Sequence, residues 1–250
     1  MGKRTSYARG TFSWVDLGTP DVAAAMPFYA GVFGWEFETE SGDGPRYTIC
    51  RLDADAVCGL YEGPGTSSNW TNYVTVEDAE MVATRAREVG GHVVEEPFDV
   101  LDAGRTAVLR DPQGAVFAVW QPRGRIGAER VNDVGCLCMN ELVTTDVEAA
   151  ASFYQRLFGW TTEISAAAGG FSMIFNRGNI NAAVFAAPAG TQAHWRPCFT
   201  VEDAEAAVRR VEELGGEQLL APVEIGHGSL AMVRDPQDAV FTVFAGETHP

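Results

Sequence analysis

The sequence predicts an α+β fold of two tandem domains, each built from two modules in which a strand and a helix are followed by three strands. Two repeats carry this prediction. The segment FYAGVFGW at residues 28–35 returns as FYQRLFGW at residues 153–160 (153 − 28 = 125). The segment TVEDAE occurs at residues 75–80 and again at 200–205, with the same spacing (200 − 75 = 125). A period this long indicates a duplicated domain, since solenoid repeats span only about 20 to 50 residues.

The first module follows from the pattern of apolar side chains. Residues 12–17 (FSWVDL) alternate bulky apolar with small or polar residues, as expected of a strand with two different faces. Thr19, which precedes a proline, predicts the N-cap of a helix. Apolar residues then recur at helical spacing up to Phe33, and Gly34 is suited to end the helix. Three short strands are expected within residues 36–62.

The same order of elements restarts in the second half of each copy. In the first copy we predict a strand at 72–76, a helix at about 78–89 and three strands that end near residue 120. Residues 121–135 are polar and contain Gly, Pro and Arg, which is typical of a linker. The predicted domains are residues 1–123 and 124–250, with modules at about 10–65, 70–122, 135–188 and 194–246.

Composition restricts the possible partners. A chain of 250 residues with 46% hydrophobic content is long enough to bury a sizeable core. Its net charge of −16 argues against nucleic acid or an anionic membrane as a partner, since both attract clustered Lys and Arg. We find neither an apolar run of about 20 residues nor an apolar signal segment after the N-terminal basic residues. We therefore expect a soluble, cytoplasmic protein.

The cysteines predict no disulfide framework and no zinc site. Their number is odd, and they lie inside apolar, strand-like stretches: Cys50, Cys58, Cys136, Cys138 and Cys198. Cys136 and Cys138 form a C-x-C pair rather than C-x-x-C, which is only a weak indication of a redox role. Reduced cysteines within the core are the expected state.

Three short motifs follow one another along the chain: the helix end FY…FGW, the helix start V-x-D at residues 76–78 and 201–203, and the hairpin D-P-x-G at residues 111–114, which reads D-P-Q-D at residues 235–238 of the second copy. Together they resemble the glyoxalase/bleomycin-resistance/extradiol-dioxygenase superfamily, also called vicinal oxygen chelate (VOC) proteins. The layout W-x-(D/E)-L…FY…FGW is similar to that of the duplicated, actinobacterial antigen-like branch, and the resemblance covers residues 10–246. It implies that each pair of modules curls around one ligand-binding cavity.

The resemblance also implies four metal-ligand positions in each copy, usually His, Gln or Glu. Here these positions hold Trp14, Thr71, Ala118 and Glu62 in the first copy, and Met139, Arg196, Thr242 and Ala186 in the second. A divalent ion usually needs three protein ligands, so we predict no metal and no other cofactor. The alternative is a divalent metal (Fe, Mn, Zn, Ni or Co) held by His194, Glu141 or Glu62.

Alternation along the strands predicts what lines the two cavities. Asp16 shares a strand face with Trp14, and Glu141 shares one with Met139. We therefore take Asp16 and Glu141 as candidate catalytic residues. The predicted ligand-binding residues are Trp14, Tyr73, Val116, Trp120 and Glu62 in the first copy, and Met139, Arg196, Cys198 and Phe244 in the second. An apolar wall is expected to raise the pKa of a buried carboxyl group, whereas Arg196 would keep Glu141 ionised.

Three functions remain open at this point. The leading hypothesis is a bleomycin-resistance-like protein that binds a small hydrophobic or aromatic metabolite without metal. The second is a metal-independent enzyme, such as a cyclase, an epoxide-opening enzyme or an isomerase, that uses Asp16 or Glu141 as acid or base. The third is a metal-dependent lyase, isomerase or dioxygenase. Duplication within one chain imitates a dimer, so we expect a monomer or a weak homodimer, with modules paired either within or across the copies.

Overall fold

A computed structural model describes residues 2–40, 46–164 and 171–248 of the chain. It contains two eight-stranded sheets, one in each copy, which confirms the predicted α+β fold. The first copy comprises β1 (Phe12–Thr19), α1 (Val22–Phe33), β2 (Glu36–Thr39), β3 (Tyr47–Leu52), β4 (Asp55–Glu62), β5 (Asn69–Thr75), α2 (Ala79–Glu88), β6 (His92–Val100), β7 (Gly104–Arg110) and β8 (Val116–Pro122). The second comprises β9 (Leu137–Thr144), α3 (Val147–Phe158), β10 (Thr161–Glu163), β11 (Phe171–Asn176), β12 (Asn179–Ala186), β13 (His194–Thr200), α4 (Ala204–Glu213), β14 (Glu217–Glu224), β15 (Gly228–Arg234) and β16 (Val240–Gly246).

The two modules of each copy join at the centre of one sheet. In the first sheet the strand order is β2-β3-β4-β1-β5-β8-β7-β6, and β1 pairs with β4 in parallel and with β5 antiparallel. The second sheet repeats this order as β10-β11-β12-β9-β13-β16-β15-β14. The modules are thus hydrogen-bonded to each other within each copy. The sequence had left open whether they pair within a copy or across the two copies.

An aspartate caps the N-terminus of each of the helices α1, α2, α3 and α4. The Asp21 side chain accepts a hydrogen bond from the Ala24 N–H at 2.9 Å, and Asp78, Asp146 and Asp203 cap their helices in the same way. The prediction of Thr19 as an N-cap is wrong, because Thr19 is the last residue of β1 and the carboxylate of Asp21 meets the free N–H groups. Gly34 ends α1 in the left-handed conformation (φ 74°), as predicted.

The helices pack across the two copies. Phe28 of α1 lies edge-on to Phe241 of β16, with ring centroids 6.5 Å apart, and the Tyr29 hydroxyl donates to Asp235 Oδ2 at 2.9 Å. In the symmetric contact, the Tyr154 hydroxyl donates to Asp111 Oδ2 at 3.1 Å. The tyrosine of each FY…FGW helix therefore binds the aspartate of the D-P hairpin in the other copy.

The tryptophan of the same motif also crosses between the copies. Trp35 donates from Nε1 to the Gly135 carbonyl oxygen at 2.7 Å, and Trp160 donates to the Gly10 carbonyl oxygen at 2.8 Å. Each hydrophobic core accordingly combines the first module of one copy with the second module of the other. In the described part of the chain, no helix is long and apolar enough to cross a membrane.

Candidate functional site

The sheet face away from the helices carries Asp16 in the first copy. Asp16 lies on β1 between Gly59 of β4 and Thr71 of β5, and its side chain is only 3% exposed. Its chain neighbours Val15 and Leu17 point the other way, into the hydrophobic core. We call the surface formed by Trp14, Asp16, Tyr47, Tyr61 and Tyr73 the Asp16 face.

Two phenol groups hold the Asp16 carboxyl. The Tyr73 hydroxyl donates to Asp16 Oδ2 at 2.8 Å, and the Tyr47 hydroxyl donates to the same oxygen at 3.1 Å. Trp14 Nε1 in turn donates to the Tyr47 hydroxyl at 2.8 Å. The other carboxyl oxygen, Asp16 Oδ1, is buried and has no hydrogen-bond partner among the described residues. One oxygen is thus fixed by two hydrogen bonds, and the other receives none from the residues that the structure describes.

Burial changes the protonation of this cluster. It raises the pKa of Asp16 to about 7, because the charged form loses its hydration, and the hydrogen bonds from Tyr73 and Tyr47 only partly oppose this rise. Burial and the nearby Asp16 charge also raise the pKa of Tyr47 and of Tyr73 well above the ordinary phenol value. Both phenols are therefore donors at neutral pH, while Asp16 is close to its titration midpoint.

Two glycines make room for the tyrosine rings. A Cβ atom at Gly59 would lie 2.1 Å from the Tyr47 hydroxyl oxygen, and one at Gly18 would lie 2.8 Å from the Tyr61 hydroxyl oxygen. The rings of Tyr47 and Tyr61 stack with centroids 6.4 Å apart and planes at 13°. Neither tyrosine was among the site residues predicted from the sequence. Both tyrosines lie on strands whose pairing includes Gly59. This pairing register becomes visible only in the structure, so the sequence did not point to them.

The second copy carries an ion pair in the equivalent place. Glu141, 2% exposed, accepts from Arg196 Nε at 2.6 Å and from the Thr242 hydroxyl at 2.8 Å, both on Oε2. Arg196 NH1 lies 2.7 Å from Met232 Sδ, and its guanidinium carbon is 5.4 Å from the centre of the Phe185 ring. We call the surface formed by Glu141, Phe185, Arg196, Cys198 and Thr242 the Glu141 face.

The strand register aligns the two faces residue by residue. Pairing of β11 with β12 places Phe171 opposite Phe185, as pairing of β3 with β4 places Tyr47 opposite Tyr61. The Phe171 and Phe185 ring centroids are 5.7 Å apart. Equivalent positions in the two copies are Trp14 and Met139, Asp16 and Glu141, Thr71 and Arg196, Tyr73 and Cys198, and Ala118 and Thr242. The second copy thus lacks the hydroxyl donors of the first and holds its carboxylate with a cation.

Three other described residues that were predicted to bind ligand make no hydrogen bond to Asp16 or Glu141. Trp120 donates from Nε1 to the Arg125 carbonyl oxygen at 2.9 Å, and Phe244 packs with Cys198 in a small buried cluster. Glu62 follows Tyr61 on β4 and pairs with Thr19, so alternation points it away from the Asp16 face, where it is exposed. The structure does not bring Glu62 to the predicted site.

Val116, also predicted to bind ligand, lies at the border between the copies. It lines a cleft of about 470 Å³ together with Thr71 and, from the second copy, His194 and Arg196. His194 Nδ1 is 3.0 Å from the Gln192 carbonyl oxygen.

The side chains at the family's metal positions do not fit a divalent ion. Across the described ranges, no group of three or more His, Cys, Asp or Glu side chains is arranged to hold a metal. In the second copy one family position holds Arg196, whose guanidinium pairs with Glu141 Oε2, and a cation there repels a metal. In the first copy Trp14, Thr71 and Ala118 supply at most one hydroxyl group, and the side chain at the fourth position, Glu62, points away from the Asp16 face.

Comparison with known proteins finds one family twice. The glyoxalase-like domain matches residues 14–120 and again residues 136–244. A putative glyoxylase, CFP32, of Mycobacterium tuberculosis (strain CDC 1551 / Oshkosh) is 35% identical over 254 residues and covers 97% of both chains. An anthracycline biosynthesis protein, DnrV, of Streptomyces peucetius is 34% identical over 259 residues, with 96% of this chain and 94% of that protein covered.

Solved structures share the fold at low sequence identity. The 2,3-dioxygenase LapB from Pseudomonas sp. KL28 superposes with a TM-score of 0.68 at 14% identity, covering 98% of this chain and 95% of that one. The Mn(II)-bound glyoxalase from Novosphingobium aromaticivorans gives 0.66 at 16% identity, covering 98% and 83%. These similarities concern the fold alone.

Proposed function

Since the chain belongs to the glyoxalase-like domain family, we propose that its first copy binds a small aromatic or otherwise hydrophobic molecule on the Asp16 face. One observation carries this proposal: four half-buried aromatic side chains, Trp14, Tyr47, Tyr61 and Tyr73, surround one buried carboxyl group. Apolar and aromatic walls with a few convergent polar groups are typical of small-molecule sites.

The polar groups of this face favour a neutral ligand. Asp16 has one free oxygen and a pKa of about 7, so its protonated form donates a hydrogen bond to a ligand carbonyl or hydroxyl oxygen. An anionic ligand would instead meet a buried group of partial negative charge. The similarity to a protein of anthracycline biosynthesis supports an aromatic, oxygen-bearing ligand.

We further propose that this binding needs no divalent metal. The support is the chemistry of the side chains at the family's four metal positions in the first copy. An indole, a hydroxyl and a methyl group replace the usual donors at three of them, and the remaining carboxylate, Glu62, points away from the Asp16 face. The ligand is then oriented by the hydrogen bonds of the Asp16 cluster.

Titration calorimetry with two neutral probes, naphthol and a hydroxylated anthraquinone, tests the binding proposal. We expect saturable binding to the full chain, weakened about tenfold (about 1.4 kcal/mol) by Trp14→Leu, because the indole ring is lost from the wall. Met139→Leu at the equivalent position of the second copy is the matched control and should leave the affinity unchanged. Equal weakening by both variants, or no saturable binding of either probe, would overturn the proposal.

A second candidate function is proton transfer by Asp16, and the unpartnered Oδ1 atom favours it. General acid–base groups work best when their pKa lies near the operating pH, and that of Asp16 is raised to about 7. In this reaction Oδ1 takes a proton from a carbon next to a ligand carbonyl group and returns it to another atom of the ligand. The outcome is an isomerisation or a ring closure without net oxidation.

Exchange of the enolisable protons of tetralone in deuterated water, followed by NMR, separates the two functions. Asp16→Asn should reduce the exchange rate at least about 100-fold, because the base is removed. Binding of naphthol should change by less than about threefold, since the amide keeps the shape of the carboxyl group. Glu141→Gln, the matched change in the second copy, should exchange tetralone at the wild-type rate. Wild-type exchange in Asp16→Asn would leave binding as the only supported function.

A further inference from the structure

Two cysteines meet on the Glu141 face. Cys138 lies on β9 and Cys198 on the adjacent antiparallel strand β13, and their sulfur atoms are 3.7 Å apart. The Cys138 thiol donates to the Cys198 carbonyl oxygen at 3.4 Å. The register explains this approach: Cys198 pairs with Met139 and Phe199 pairs with Leu137, so Cys138 is the extra residue of a β-bulge.

The two thiols differ in access. Cys198 is 2% exposed and packs with Leu230 and Phe244, whereas Cys138 is half-buried at the edge of the same cluster. Burial also raises the pKa of the Cys198 thiol well above its usual value. A reagent in solution therefore reaches Cys138 first, and Cys198 stands directly behind it.

The other copy and the other cysteines provide internal comparisons. Ser13 and Tyr73 occupy the equivalent positions of the first copy (13 + 125 = 138; 73 + 125 = 198), and the Thr75 hydroxyl donates to Ser13 Oγ at 2.6 Å. Cys50 and Cys58 also face each other, on β3 and β4, but both are fully buried in the core. Only the Cys138 and Cys198 pair combines proximity with access from one side.

We propose that Cys138 and Cys198 form a dithiol site on the Glu141 face that a disulfide oxidant converts reversibly into a protein disulfide. The Cys138 thiolate attacks one sulfur of the oxidant, which forms a mixed disulfide and releases one thiol. The Cys198 thiolate then attacks the Cys138 sulfur and releases the second thiol. The protein loses two electrons and two protons, and the oxidant is reduced to two thiols. The sulfur atoms need only close from 3.7 Å to a bond of about 2.05 Å, within reach of side-chain rotation.

The position of this site connects it to the ion pair. Cys198 lies two residues from Arg196 on β13, so alternation puts both side chains on the same face. The disulfide would tie β9 to β13 next to the Glu141 and Arg196 contact, and it would remove two thiol hydrogens from that surface. The equivalent positions of the first copy, Ser13 and Tyr73, carry no thiol groups. Oxidation should therefore change the Glu141 face and leave the Asp16 face unchanged.

Incubation of the native full chain with glutathione disulfide, followed by thiol counting after denaturation and by peptide mass mapping, tests the proposal. The count of free thiols should fall from five to three (5 − 2 = 3), with Cys138 and Cys198 in one linked peptide pair, and dithiothreitol should restore five. Cys198→Ser should stop at the first step and carry one glutathione on Cys138. Thermal unfolding of each variant verifies that it is folded.

The core pair supplies the matched control. Cys50→Ser removes one thiol of the inaccessible pair, so its count should fall from four to two (5 − 1 = 4; 4 − 2 = 2) with the same linked peptides. The proposal is overturned if the native chain keeps all five thiols, if the linked pair is Cys50 with Cys58, or if Cys198→Ser gains no glutathione.

Discussion

The Asp16 face and the Glu141 face occupy the same place in two copies of one fold, yet they hold their carboxyl groups in opposite ways. Both side chains are almost equally buried, at 3% and 2% exposure. Asp16 is surrounded by neutral phenols, and its pKa is raised to about 7. Glu141 has a guanidinium group 2.6 Å away. The two copies therefore differ in the neighbours of the carboxyl group and not in the depth of its burial.

Few positions produce this difference. Thr71 of the first copy corresponds to Arg196, and Tyr47 corresponds to Phe171. The strands that carry these residues keep the same order and pairing in both sheets. Duplication has therefore left the backbone in place while one face became a cluster of neutral hydrogen-bond donors and the other an ion pair.

The largest expected effect comes from removing the cation of the Glu141 face. Arg196→Met leaves Glu141 buried without its partner and should lower the free energy of unfolding by about 3–5 kcal/mol. Urea unfolding measures this loss, and the double variant Arg196→Met with Glu141→Gln should recover most of it. Thr71→Val, at the equivalent position, should cost less than about 1 kcal/mol. Similar losses in both copies would contradict the contrast between the faces.

The next largest effect is the pH dependence of the free energy of unfolding that Asp16 causes. Asp16 makes this free energy fall as pH rises, which is opposite to the effect of an ion-paired carboxylate. The folded pKa of Asp16, about 7, lies above the ordinary aspartate value of 3.8, so the folded state binds the extra proton between these pH values. The Asp16 contribution is fully present below pH 3.8 and is lost as pH rises through about 7. From pH 5 to pH 8 this loss is on the order of 3 kcal/mol.

Comparison of wild type with Asp16→Asn isolates that contribution. The asparagine cannot ionise, so the variant should gain stability relative to wild type as pH rises from 5 to 8, by about 3 kcal/mol in urea unfolding. Glu141→Gln is the control and should show no such gain. A stability difference between wild type and Asp16→Asn that is independent of pH would refute a raised pKa at Asp16.

The smallest effect concerns one phenol. Tyr73→Phe removes a hydrogen bond to the charged form of Asp16, so the pKa of Asp16 should rise further, with a stability loss of about 1 kcal/mol. Titration of the Asp16 carboxyl carbon by NMR measures the direction. Cys198→Ala, at the equivalent position of the second copy, should leave the Asp16 titration unchanged. An Asp16 pKa that falls in Tyr73→Phe would contradict the hydrogen-bonding account.

The sequence was sufficient for the features that repeat or alternate. The repeats predicted the order of elements, and alternation along β1 and β9 predicted which side chains share a face with Asp16 and Glu141. Alternation also placed Tyr73 near Asp16 and Arg196 near Glu141, whereas Tyr47 and Tyr61 escaped prediction. Tyr47 reaches Asp16 only because β3 pairs with β4 in one register and Gly59 leaves space for the ring. The start of α1 was misplaced locally, since Asp21 rather than Thr19 meets the first free N–H groups, whereas the predicted V-x-D starts of α2 and α4 are confirmed by the caps at Asp78 and Asp203.

The tyrosine-to-aspartate bonds between the copies have a consequence for how this protein can change. Each sheet belongs to one copy, but each core is built from both, through Tyr29 with Asp235 and Tyr154 with Asp111. Neither half of the chain can be exchanged for the half of a relative without replacing half of both cores. Substitutions on the Asp16 face or on the Glu141 face, by contrast, leave both of the shared cores intact. The gene duplication thus produced two surfaces, the Asp16 face and the Glu141 face, that can change independently. The two cores beneath them need both copies of the domain.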